Sequence, residues 1–262
     1  MAILDFEVRV PARLADIKLK EYQEYMKVYD GLERDEEGNV LNTKEQNDFL
    51  SLKMLDIFCG LSLKESYKLP LKAFDSILRK VSDCFAEETP LIKEFTMTDP
   101  NGVKIDFGFM PKLDDMSVGE YIDLDGYVQG WSNMHKAMAV LYRPITFKKK
   151  GMYLIEDYEG TEKWADVMKD APVNVALGAM VFFYRLGSKL AKYTIVSTLK
   201  EGNQLDNTHL KQTLEESGVG INQFMDSLEE MSEDLMKLQR LTYTNALRGY
   251  NSKKKRTNLK QK

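Results

Sequence analysis

Residues 92–111 read IKEFTMTDPNGVKIDFGFMP, and this stretch decides the fold class of the chain. Val103, Ile105, Phe107 and Phe109 recur at period two, the repeat of a strand with one buried face. Between the two runs stands Asp99-Pro100-Asn101-Gly102. Proline suits the first corner of a turn, asparagine the second, and glycine accepts the left-handed position that closes it. The stretch predicts a β-hairpin. Most of the chain around it has helical periodicity. The expected class is therefore mainly α with a small antiparallel β-sheet (α+β).

Upstream, Phe6, Val8 and Val10 alternate with Asp5, Glu7 and Arg9, and Pro11 closes the run. Residues 3–10 are expected to form an N-terminal strand that joins the hairpin in a three-stranded sheet. Leu19, Tyr22, Tyr25 (or Met26) and Tyr29 then follow at helical spacing as far as Gly31. The segment ERDEEGNVLN, 33–42, reads as an exposed loop. Thr43 and Gln46 make a capping box for a second helix ending near Gly60, and Ser62 with Glu65 repeats the signature before Pro70. Leu71, Phe74, Ile77, Leu78, Val81 and Phe85 line one face of a third helix.

Downstream, ITFKKKGMYLIE (145–156) carries a weaker hairpin pattern, and helices are expected over 161–170 and 172–200. Asp170 to Pro172 supplies the start of the second. Residues 201–220 are polar and glycine-containing, as in a linker. An amphipathic helix is expected over 221–250, where Phe224, Leu228, Met231, Leu235 and Leu238 are spaced 4, 3, 4, 3. That is the rhythm of a coiled-coil seam, so these five are candidate protein-binding residues, with packing on the chain's own core as the alternative. The expected organisation is a helical domain with a small sheet over 1–200, the linker, the helical extension, and a basic disordered tail over 251–262.

The stretch EYIDLDGYVQGW (120–131) raises the question of a calcium loop. With Gly126 at the sixth position, the first and twelfth positions fall on Tyr121 and Ser132, which do not supply the required carboxylates. A helix fits better. Ser117 and Glu120 form a capping box flanked by Met116 and Tyr121 as a hydrophobic staple. Tyr121, Leu124, Val128, Trp131, His135, Met138 and Tyr142 then share a stripe reaching Pro144. Asp123 and Asp125 fall on opposite flanks of it, about 160° apart, and cannot chelate one ion.

Other chemistry is poorly represented. Two histidines and no cysteine cluster make no transition-metal set. There is no G-x-S-x-G, no G-x-x-x-x-G-K-[ST] and no G-x-G-x-x-G. Cys59 and Cys84 fall in amphipathic segments and are expected to be free, half-buried thiols. No cofactor and no catalytic residue is expected. Thirteen Tyr and 14 Met favour binding surfaces, since Met adapts and Tyr anchors interfaces.

The net charge of −4 conceals an asymmetry. Lys253, Lys254, Lys255, Arg256, Lys260 and Lys262 crowd the end of the chain without an acid among them. The remainder holds 31 basic against 41 acidic residues, a net charge of −10. An acidic body is ill suited to binding nucleic acid in a groove, although Lys253, Lys254, Lys255 and Arg256 are a weak candidate for non-specific contact. The most apolar run, VNVALGAMVFFYRL, is interrupted by Asn174 and Arg185 and is too short for a membrane span of about 20 residues. A soluble protein of the cytoplasm is expected.

Several stretches, LDDMSVGEYIDLDGYVQGWSNMHKAMAVLYRPIT, YEGTEKWADVMKDAPVNVALGAMVFFYRLG, DIKLKEYQEYMKV and LSLKMLDIFCGLSLKESYKLPLKAFDSI, resemble a group of structural or tail-assembly proteins encoded by tailed bacteriophages. The resemblance covers about residues 3–200. It implies a role in phage morphogenesis with phage tail or virion proteins as partners, and it carries no catalytic residues. A tail assembly chaperone is the first expectation and a virion component the second. A nucleic-acid accessory protein using the basic tail is the third. Self-association through the C-terminal helix would suit either of the first two.

Overall fold

The computed structural model describes residues 8–36, 40–41, 43–112 and 116–183. The domain expected over 1–200 divides between Glu88 and Thr89 into two compact units. The division falls where the hydrophobic period changes from helical to alternating, just before Pro90.

The described part of the first unit is helical: α1 (Leu19–Asp30), α2 (Lys44–Cys59), the single turn α3 (Leu63–Ser66) and α4 (Leu71–Cys84). Local chemistry sets their ends. The Thr43 side chain accepts from the Gln46 N–H, and Gly60 ends α2 in the left-handed conformation at φ 69°. Ser62 and Glu65 cap α3 reciprocally. Leu19, Tyr22, Tyr25, Met26 and Tyr29 of α1 are all buried, so both alternatives at 25 and 26 face inward. Their rings meet those of α2 and the end of α4, with Tyr25–Phe58 at 5.2 Å, Phe58–Phe85 at 5.6 Å and Tyr22–Phe85 at 5.9 Å between centroids. Such offset contacts add to the area the rings bury. Cys59 and Cys84 are free and fully buried, and burial pushes both thiols up to about 11. Leu71, expected on the apolar face of α4, instead lies exposed in its first turn.

The second unit holds β1 (Glu94–Thr98), β2 (Lys104–Phe109), α5 (Val118–Tyr127), α6 (Met134–Leu141), β3 (Tyr142–Lys149), β4 (Met152–Ile155), α7 (Glu162–Met168) and a further helix, α8, described over 173–183. The strands form one antiparallel sheet in the order β1-β2-β3-β4. In the first hairpin the Asp99 carboxylate accepts the N–H groups of Asn101 and Val103 at 2.9 and 2.7 Å, and Gly102 takes φ 83°. The second hairpin turns at Lys150-Gly151, both with positive φ, the twist a two-residue loop requires. Phe107 and Phe109 fill the covered face of the sheet against Trp164, Tyr142 and Phe183. Gly178 of α8 packs close to the chain at Pro90: a methyl group there would overlap the Pro90 carbonyl oxygen.

Two expectations are corrected. The strand neighbouring the hairpin is β3, not residues 3–10; Val8, Arg9 and Val10 carry no strand, and residues 3–7 lie outside the described residues. The stripe from Tyr121 to Tyr142 is not one helix. α5 ends at Tyr127, a 3-10 turn occupies Trp131–Asn133, and α6 ends where Tyr142 begins β3. Gly130 at φ 150° takes a conformation that helix cannot use, and the Tyr142-Arg143-Pro144 run pairs with β2. The expected linker (201–220), helix (221–250) and tail (251–262) lie outside the described residues.

Candidate functional site

The site grows from the first turn of α5. Ser117 stands just before the helix, and its hydroxyl accepts the Glu120 N–H at 3.2 Å while the Glu120 carboxylate accepts the Ser117 N–H at 2.7 Å. Capping turns Glu120 inward, where its second oxygen lies 2.7 Å from Nη1 of Arg143 on β3. The two side chains are only 7 % and 8 % exposed. Their contact is that of an ion pair short of hydrogen-bond alignment, because Nη1 and Nε of Arg143 find no hydrogen-bond partner among the described residues. The Arg143 guanidinium also lies over the Tyr158 ring, its Cζ 5.5 Å from the ring centre, and the Tyr158 hydroxyl donates to Asp123 of α5. β3 and the segment after β4 thus hold α5 by its polar residues.

The electrostatics follow from these contacts. Burial pushes the Glu120 carboxyl up, but the Ser117 hydrogen bonds and the Arg143 charge outweigh it, so its pKa lies below the ordinary value. Glu156 behaves alike: burial opposes ionisation, while Lys163, the Trp164 indole N–H at 2.6 Å and the Arg143 charge favour it. Burial, then the hydrogen bond to Asp123, pushes the Tyr158 hydroxyl up. A general acid or base working near neutrality wants its pKa near 7, and both carboxyls move away from that.

Held by polar groups, α5 shows its apolar ones to solvent. Val118, Tyr121 and Ile122 are 75 %, 50 % and 62 % exposed, and their spacing places them on one face. Only Leu124 and the capping Glu120 are buried within the helix. The usual amphipathic arrangement is inverted. Next to the ion pair, a recess of about 260 Å³ opens between Met110, Lys112, Glu120, Arg143 and Ile155. A second, of about 420 Å³, is lined by Thr146, Leu154, Glu156, Asp157 and Glu159.

The candidate residues Phe224, Leu228, Met231, Leu235 and Leu238, and the cations Lys253, Lys254, Lys255 and Arg256, lie outside the described residues. His135 is half-buried on α6, and burial, then the charges of Lys169 and Lys136, lower its pKa. Asp123 bonds to Tyr158, a role that sequence spacing does not reveal. The Ser117–Glu120 cap is legible in the sequence, but its partner Arg143 is not. The only trace is an arginine inside the otherwise apolar AVLYRPI. Among the described residues, no group of three or more His, Cys, Asp or Glu is placed to hold a metal ion, and no helix is long and apolar enough to cross a membrane.

The chain matches no protein-family model, no curated protein and no solved structure.

Proposed function

We propose that this chain is a non-enzymatic protein of phage morphogenesis that works in the host cytoplasm as a tail assembly chaperone, holding another phage protein before assembly. The observation that carries the binding reading is the inverted α5: Val118, Tyr121 and Ile122 face solvent on a helix fixed by Glu120 and Asp123. Exposed apolar side chains on a rigid element suit transient docking into a partner's groove, because the helix is already ordered and little backbone freedom is lost on binding. The phage setting rests on the resemblance of about residues 3–200 to structural or tail-assembly proteins of tailed bacteriophages.

The test is quantitative mass spectrometry of purified virions against the infected-cell lysate, paired with pull-down from that lysate by the tagged chain. A chaperone is abundant in the lysate, absent from particles, and captures one phage protein. The variant Val118→Glu with Ile122→Glu loses that capture while its circular dichroism is unchanged. A fixed copy number in virions would replace the chaperone by a structural component. Equal capture by the variant would remove α5 from the binding surface.

A further inference from the structure

Where α3 leads into α4, the chain turns its large apolar side chains outward. Leu63, Tyr67 and Leu71 are 55 %, 74 % and 71 % exposed, while Leu61 and Ser66 take the inward side. The Tyr67 N–H donates to the Leu63 carbonyl at 3.1 Å, and the Lys68 and Leu69 N–H groups continue the winding to Glu65 and Ser66. Leu63 and Tyr67, one helical turn apart, therefore stand on one face. Leu71 follows Pro70 as the first residue of α4. Each of the three precedes a lysine. Lys64, Lys68 and Lys72 are exposed and make no ion pair among the described residues. Glu65 is the only acid from 61 to 74, and its carboxylate accepts from the Ser62 N–H and hydroxyl. Three lysines against one glutamate leave the junction net positive.

We propose that the α3–α4 junction is a docking surface for an anionic lipid bilayer, with Leu63, Tyr67 and Leu71 entering the headgroup region and Lys64, Lys68 and Lys72 meeting the lipid phosphates. The lysines select this occupant. Protein–protein interfaces enrich aromatic residues but are depleted of lysine. A bilayer surface suits both residue types: apolar side chains leave water, and lysine stems lie along apolar surface while their ammonium groups reach the headgroups. Attraction between a lysine and an anionic leaflet fades within a Debye length of about 8 Å at physiological salt, so acids of the chain beyond that range oppose docking only weakly. Three apolar side chains and three lysines give a reversible attachment, far short of a permanent anchor. The junction belongs to the first unit and acts independently of α5.

Flotation of the full chain with lipid vesicles tests this. Binding is expected to mixed phosphatidylcholine–phosphatidylglycerol vesicles and not to phosphatidylcholine alone, and it weakens as salt is raised. Leu63→Ser with Leu71→Ser, and separately Lys64→Glu with Lys68→Glu, should abolish it with unchanged circular dichroism, because all four side chains are already exposed. Lys64→Arg with Lys68→Arg should retain it, and Lys64→Ala alone should weaken it about fivefold. Val118→Glu with Ile122→Glu should leave it unchanged. A chain that stays off mixed vesicles overturns the proposal, and if Leu63→Ser with Leu71→Ser then removes capture of an acidic protein, the surface belongs to a protein partner. Binding that survives both pairs of changes but is lost with Lys253→Gln, Lys254→Gln and Lys255→Gln also overturns it, and would move lipid contact to the basic tail.

Discussion

Arg143 carries a charge in a nine-tenths buried setting with Glu120 2.7 Å away, so removal of either partner strands the other. Breaking a buried pair from one side costs about 3–5 kcal/mol, whereas replacing both members by apolar residues of similar size is often close to neutral. Arg143→Met alone is expected to lower the stability of the second unit by about that amount. Arg143→Met with Glu120→Leu should recover much of it, less the capping contribution of about 1 kcal/mol that Glu120 shares with Ser117. Urea unfolding followed by tryptophan fluorescence reads this unit specifically, because both tryptophans, Trp131 and Trp164, belong to it. A double variant less stable than the single one would show that the pair is not coupled as described. The pH dependence has a definite sign. The Glu120 carboxyl is lowered in the folded chain, so its stabilising contribution is complete above the ordinary carboxylate value of about 4.3 and is lost as pH falls through the lowered one. Wild type should lose stability as pH falls below the ordinary carboxylate value, and the double apolar variant should lose less.

Among the elements, the second hairpin depends on one small residue in the neighbouring strand. A methyl group at Gly108 of β2 would lie 2.5 Å from the Tyr153 ring, which is fixed by its hydroxyl donating to the Phe109 carbonyl at 2.6 Å, with the Lys93 carbonyl a second, longer acceptor at 3.2 Å. The ring cannot move aside without giving up those bonds. Gly108→Ala should therefore destabilise the unit by about 1–3 kcal/mol through overpacking, and Tyr153→Ala in the same chain should relieve part of the cost. Additive losses on urea unfolding would refute the contact. Both hairpins were legible in the sequence because their signals are local: alternation, Asp-Pro-Asn-Gly in one and Lys-Gly before MYLI in the other. The caps at Thr43, Ser62 and Ser117 were legible for the same reason. The break between α5 and α6 was not, because Tyr121, Leu124, Val128, Trp131 and Met138 keep helical spacing across it. Residues 118, 121, 122, 124 and 128 also contain two overlapping apolar faces. The contacts of Glu120 with Arg143, 23 residues away, and of Asp123 with Tyr158 go with the face that turns inward, and neither is visible in local spacing.

For the whole molecule, charge distribution gives a last discriminating prediction. The chain bears 37 basic and 41 acidic residues, with six of the basic ones after Asn251. If that tail bound nucleic acid, each neutralised phosphate would contribute about −0.9 to the slope of log affinity against log salt, so six contacts would lose several powers of ten between about 50 and 200 mM. The rest of the chain, at net −10, repels a polyanion and opposes even that contact. Fluorescence anisotropy with a labelled duplex should show binding by the full chain only at the lowest salt, and none by a chain ending at Asn251. Capture of the proposed partner should be the same for both forms, because Val118, Tyr121 and Ile122 lie far from the tail in sequence and belong to an element with its own polar anchors. Sequence-selective binding that persists at about 200 mM salt would make the tail a functional element, and the accessory nucleic-acid role would then displace the proposed chaperone role. Loss of partner capture on truncation, with DNA binding absent in both forms, would instead place the protein-binding surface in the C-terminal extension.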